Sequence, residues 1–147
     1  MTGATGYIGA RLVPRLIERG YHVRAMARTP AKLADAPWRE RAEVVQGDLT
    51  EPESLTAAFE GCDVIYYLVH SMGTSKDFVA EEEECARNVV TAAKQAGVRR
   101  VVYLSGLHPE GVALSRHLES RTLVGDILID SGVETMVLQA GIVVGSG

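Results

Sequence analysis

The chain has 147 residues, 46% hydrophobic and 23% charged, which fits one globular domain and excludes a disordered or collagen-like polymer. Fifteen basic against nineteen acidic residues leave a net charge of −4, which argues against a general binder of nucleic acid or anionic membranes. Two cysteines, Cys62 and Cys85, make neither a disulfide framework nor a spaced metal cluster, so no metal is expected and a reducing, cytoplasmic setting is. The longest strongly apolar run, Val64 to Val69, is far short of the roughly 18 residues that span a bilayer, and no signal peptide leads the chain.

Helical and strand-like periodicities alternate from the start. Ile8, Leu12, Leu16 and Ile17 share one helical face, interrupted by Pro14, where a kink is expected, and closed by Gly20. Tyr21 to Ala27 reads as a strand, and Thr29-Pro30 as the opening of a short helix. Ala42 to Gln46 is a second short strand, after which Thr50 and Glu53 have the spacing of a capping box for a helix toward Phe59. Asp63 to Val69 follows Gly61 as a near-continuous apolar strand. A helix is expected from about Lys76 to Ala96, with Phe78, Cys85, Val89, Ala92 and Ala96 on or near one face. Val98 to Ser105 is the next strand, about Leu114 to Asp130 the last helix, and Val133 to Leu138 the last strand. Strands apolar on both faces, alternating with helices, point to an α/β domain with a doubly wound parallel sheet, Rossmann-like in order.

The strongest local signal is Thr2-Gly3-Ala4-Thr5-Gly6-Tyr7-Ile8-Gly9, a Gly-x-x-Gly-x-x-Gly spacing that opens the first helix. Gly3 permits a sharp turn, Gly6 lets a pyrophosphate approach the backbone, and Gly9 lets the helix pack closely. Free N–H groups at the helix start then hold phosphates, so Gly3, Thr5, Gly6, Tyr7, Ile8 and Gly9 are the expected dinucleotide-binding loop. An NAD site usually carries an acidic residue roughly 20 positions later for the ribose hydroxyls. Here Arg28 holds that place, with Arg24 before it and Lys32 behind, a set that suits the 2′-phosphate and favours NADP(H) over NAD(H).

The glycine run, Gly47-Asp48-Leu49, and Arg99-Arg100-Val101-Val102-Tyr103-Leu104-Ser105 together resemble the atypical short-chain dehydrogenase/reductase family, in its NmrA-like and epimerase-like NAD(P)-binding branch. The resemblance implies that Asp48 and Leu49 border the adenine and that Val69 and His70 lie along the cofactor. It also implies that Ser105 and the loop from Gln139 to Gly141 sit by the nicotinamide. That family's catalysis uses a Ser with a Tyr-x-x-x-Lys pair, and this chain has no such pair. The substitute in its place is His117-Leu118-Glu119-Ser120-Arg121, with His117 and Arg121 on one helix face. Ser105, His117 and Arg121 are therefore the catalytic candidates. Two functions stay open. One is hydride transfer to or from a small carbonyl or alcohol, as in an NADP-dependent oxidoreductase or epimerase-like protein. The other is a catalytically silent NAD(P)-binding redox sensor reporting to a protein partner.

Among the remaining residues, His108-Pro109 reads as a loop start, Cys85 as core and Trp38 as packing. Glu81 to Glu84 read as a solvated helix face, with Glu83 paired to Arg87. Only Met1 and Thr2 precede the glycines, so most of the expected first, central strand is missing. Residues 1–147 thus read as most of one NAD(P)-binding domain belonging to a longer chain.

Overall fold

The computed structural model describes residues 1–70, 78–108, 111 and 113–145. Its strands are β1 (Arg24–Ala27), β2 (Glu43–Gln46), β3 (Val64–Tyr67), β4 (Arg100–Gly106) and β5 (Glu134–Ala140). They alternate with helices α1 (Tyr7–Glu18), α2 (Pro52–Phe59), α3 (Phe78–Gln95) and α4 (Arg116–Ile129), while two 3-10 turns, Pro30–Leu33 and Arg39–Arg41, join β1 to β2. All pairings are parallel, in the orders β1-β2 and β3-β4-β5.

Met1 and Thr2 join these two groups into one layer. The Met1 amine donates to the Arg24 carbonyl at 2.8 Å, and the Met26 N–H donates to the Met1 carbonyl at 2.9 Å. On the other side the Thr2 N–H donates to the Tyr66 carbonyl at 3.0 Å, and the Leu68 N–H donates to Thr2 Oγ1 at 3.2 Å. The backbone order is therefore β2-β1-(Met1–Thr2)-β3-β4-β5, with a two-residue stub in the central place.

Alternation along β1 shows that both faces of the sheet are covered. Met26 points into a cluster with Leu55, Phe59, Ile65, Val89 and Leu128, which is the α2–α3–α4 face. Ala25 and Ala27 point into the other cluster, with Val13, Leu33 and Trp38, which is the α1 face. This is the doubly wound arrangement that the periodicities predict.

Three expectations are corrected in detail. The strands start later than their apolar runs, because the helix-closing turns use the first N–H groups. Tyr21 N donates back to the Leu16 carbonyl at 3.1 Å and Val98 N to the Ala93 carbonyl at 2.9 Å, so pairing begins at Arg24 and Arg100. The capping box does not form. The Thr50 hydroxyl donates instead to Asp48 Oδ1 at 2.9 Å, and α2 starts at Pro52 behind Glu51, with no side-chain cap. Of the four consecutive glutamates, Glu82 is not solvated: it is buried, and it accepts a hydrogen bond from the buried Ser120 hydroxyl of α4. Glu83 does pair with Arg87, at 2.7 Å.

Pro14 lies inside α1, whose helical backbone continues through to Glu18, and it cannot donate to the Ala10 carbonyl one turn earlier. Trp38 supplies the replacement: its ring sits buried against α1 and its Nε1–H donates to the Ala10 carbonyl at 3.2 Å. Cys85 is buried in the core cluster, as expected. The expected helical residues Lys76 and Asp77, and Pro109 of the loop after β4, lie outside the described residues.

Candidate functional site

The glycine loop runs from the central stub into α1. Gly3 has φ +68, a left-handed conformation that glycine adopts without a Cβ clash. Gly9 is the point of closest approach: a Cβ there would lie 2.2 Å from the Gly3 oxygen and 2.8 Å from Ala4 Cα. The helix is capped by Gly6 without any side-chain hydrogen bond, and the first bond into it is Ala10 N to the Gly6 carbonyl at 2.9 Å. The N–H groups of Tyr7, Ile8 and Gly9 therefore have no partner from an earlier turn, and the helix dipole adds positive potential at the same place. Such a helix start is chemically suited to accept an anion such as a phosphate.

Two clefts flank the loop. The smaller, about 280 Å³, opens at the C-terminal end of β1 and is lined by Thr5, Ala27, Arg28, Thr29 and Lys32. No carboxylate lines it, and neither Arg28 nor Lys32 has an ion-pair partner among the described residues. Arg24, at the opposite end of β1, is occupied elsewhere: it pairs with Glu43 at 2.6 Å and donates to the carbonyls of Ala58 and Glu60.

The larger cleft, about 460 Å³, lies outside the C-terminal ends of β4 and β5. Ile8 of the loop, His70, Ser105 and Arg121 line it, with apolar walls from Leu118 and from Ile142 and Val143 beyond β5. Ser105 is buried at the end of β4. His70 Nε2 lies 2.9 Å from the Leu104 carbonyl, and its ring stands edge-on to Tyr103 with centroids 5.7 Å apart. Burial lowers the His70 pKa, the Arg121 charge lowers it further, and Glu82 and the Leu104 carbonyl pull the other way. The Tyr67 and Tyr103 phenols are both raised by burial, so neither is primed to give up its proton. Tyr103 donates its hydroxyl to the Arg121 carbonyl at 3.2 Å and so supports the turn that carries Arg121.

The other residues singled out from sequence take these places. Tyr7 is exposed, with the Arg11 guanidinium 3.6 Å above its ring. Asp48 Oδ1 accepts from the Thr50 N–H at 3.0 Å and from its hydroxyl, while Leu49 is buried and its carbonyl accepts from Asn88 Nδ2 at 2.9 Å. Val69 is half-buried against the core, and Ala140 and Gly141 line the larger cleft. His117 stacks on Phe78, with centroids 4.7 Å apart, and is not among the residues lining that cleft. Sequence reasoning missed Leu118, Ile142 and Val143 as walls, and Glu82 as a buried carboxylate. The signal for Glu82 is its position: 78, 82, 85, 89 and 92 form one helical stripe.

Comparison with known proteins gives the family and the fold. The family model described as NAD(P)H-binding matches residues 3–141. A cinnamoyl-CoA reductase 1 from Oryza sativa subsp. japonica is 40% identical over 111 residues, which are 71% of this chain and 33% of that protein. An NADPH-dependent quinone oxidoreductase from Escherichia coli, solved with NADPH, superposes with a TM-score of 0.78 at 30% identity, covering 94% of this chain and 47% of that one. A short-chain dehydrogenase/reductase superfamily protein from Agrobacterium tumefaciens, solved with NAD, has the same fold, with a TM-score of 0.76 at 24% identity over 94% of this chain and 47% of that one. The chain thus spans about a third of its curated relative and about half of these structural neighbours. No helix among the described residues is long and apolar enough to cross a membrane. The chain belongs to the NAD(P)H-binding family and binds a dinucleotide cofactor on a Rossmann-like fold.

Proposed function

We propose that this member of the NAD(P)H-binding family is the cofactor-binding part of an NADP(H)-dependent oxidoreductase acting on a small carbonyl or alcohol. The observation that carries the reading is the smaller cleft: Arg28, Lys32, Thr29 and Thr5 converge beside the glycine loop, with no carboxylate among the described residues that line it to repel an added phosphate. Gly3, Gly6 and Gly9, with the amides of Tyr7 and Ile8, hold the pyrophosphate between the two clefts. Asp48 and Leu49 border the adenine, and Val69 and His70 follow the chain of the cofactor toward the larger cleft. When bound, the nicotinamide supplies or accepts a hydride. Ser105 orients the substrate oxygen and Arg121 holds ribose or developing negative charge, while His117, expected from sequence as the proton donor, is stacked on Phe78 and does not line the larger cleft.

A second reading is a cofactor-binding regulator without turnover. It is favoured by His117 being stacked on Phe78 and by the raised phenols, which leave the cleft without the tyrosine chemistry of the wider family. Titration with NADPH and NADH, followed by a test of NADPH oxidation across quinone, aldehyde and ketone probes, separates the two. Turnover supports the enzyme, binding without turnover supports the regulator, and failure to bind either nucleotide overturns both.

A further inference from the structure

We propose that His70 exchanges the proton in the larger cleft, with Glu82 as its positioning residue. This rests on the oxidoreductase reading. His70 shares the cleft with Ser105 and Arg121, whereas His117 does not line it. The Leu104 carbonyl can only accept a hydrogen bond, so Nε2, 2.9 Å away, carries a proton and donates it. That fixes the neutral tautomer and leaves Nδ1 as the one ring atom that can take up or release a proton. The edge-on Tyr103 ring holds the imidazole plane.

The charged groups acting on His70 come from two helices: Arg121 of α4 opposes its protonation, and Glu82 of α3 favours it. Glu82 is buried and bound by the Ser120 hydroxyl, the residue beside Arg121. One buried carboxylate therefore fixes the turn that carries Arg121 and offsets part of its charge at the imidazole. In the reduction, hydride adds to the carbonyl carbon and the C=O π pair moves onto oxygen. That oxygen takes the proton from Nδ1, leaving oxidised dinucleotide, an alcohol and a neutral imidazole that regains its proton from water. In alcohol oxidation each transfer reverses, and the neutral imidazole accepts the hydroxyl proton.

The signs follow from this. His70 has a pKa below the usual 6.5, so it is mainly neutral at pH 7.5. Reduction then falls as pH rises through that pKa, and oxidation rises. Removing the Glu82 charge lowers the pKa further and moves both limbs to lower pH.

The test uses His70→Gln, which keeps a donor for the Leu104 carbonyl but cannot titrate, and Glu82→Gln, which keeps an acceptor for Ser120 without charge. Readouts are NADPH affinity, the pH profile of kcat/KM with quinone and aldehyde probes, and an NMR titration of the His70 ring in the NADP⁺-loaded protein. The expected result for His70→Gln is turnover at saturating NADPH down by about 100-fold or more, with loss of the pH limb. In the parent the ring titrates below 6.5, and in Glu82→Gln it titrates lower still. Parent-like turnover in His70→Gln or a ring titrating at or above 6.5 would each overturn the proposal. A parent that binds NADPH without turnover, or does not bind it, overturns the oxidoreductase reading itself, a distinct outcome visible before any variant is compared.

Discussion

Trp38 is the brace for a proline inside the helix that opens at the proposed phosphate cradle, and removing its indole N–H has a calculable cost. Trp38→Phe takes the donor from the Ala10 carbonyl, which Pro14 cannot bond, at a site where the side chain is 3% exposed. A buried carbonyl left without a partner costs about 1–3 kcal/mol. Loss of the second ring's contacts adds about 1–2 kcal/mol. The variant is therefore expected to lose about 2–5 kcal/mol in urea unfolding. Pro14→Ala restores an N–H four residues after Ala10. In the Trp38→Phe background it should recover about 1–2 kcal/mol more than it gives in the parent, where the carbonyl is already bonded. Additivity of the two substitutions to within about 0.5 kcal/mol would refute the shared-carbonyl argument.

Further consequences follow from local geometry. Gly9→Ala drives a Cβ into the Gly3 oxygen, 2.2 Å away, so α1 must back off the loop. NADPH affinity by calorimetry should fall at least about tenfold, with a stability loss of about 1–3 kcal/mol, and an unchanged affinity would contradict the cradle. Burial pushes the Cys85 thiol up to about 11, while Cys62 is half-buried. Native alkylation at pH 8, read by peptide mass spectrometry, should modify Cys62 and leave Cys85 intact until the protein is unfolded.

Sequence carries the parts of this structure that depend on near neighbours. The glycine spacing sets its own turn and helix start, so the loop is readable from eight residues. The alternation of apolar runs and Gly-closed helices is likewise local, and it foretells the parallel order. What escapes is competition between partners. The Thr50 hydroxyl donates to Asp48 rather than accepting from a helix N–H as a cap. Glu82 reads as solvated among three other glutamates, yet its place on the Phe78–Cys85–Val89 stripe turns it inward, where Ser120 from a distant segment receives it. Trp38 is recognisable as packing, but its bond to Ala10 depends on a contact 28 residues apart. His70 and His117 are comparable as isolated histidines, and only the tertiary arrangement puts the first in the cleft and the second on Phe78.

The cofactor reading is tested most directly by paired calorimetric titrations of the parent and Arg28→Ala with NADPH and NADH. A charge-assisted hydrogen bond contributes about 1.5–3 kcal/mol, so the parent should bind NADPH about 10- to 100-fold more tightly than NADH. Arg28→Ala should lose most of that preference through weaker NADPH binding, with NADH affinity unchanged. Equal affinities in the parent, or a preference that survives Arg28→Ala, would contradict it.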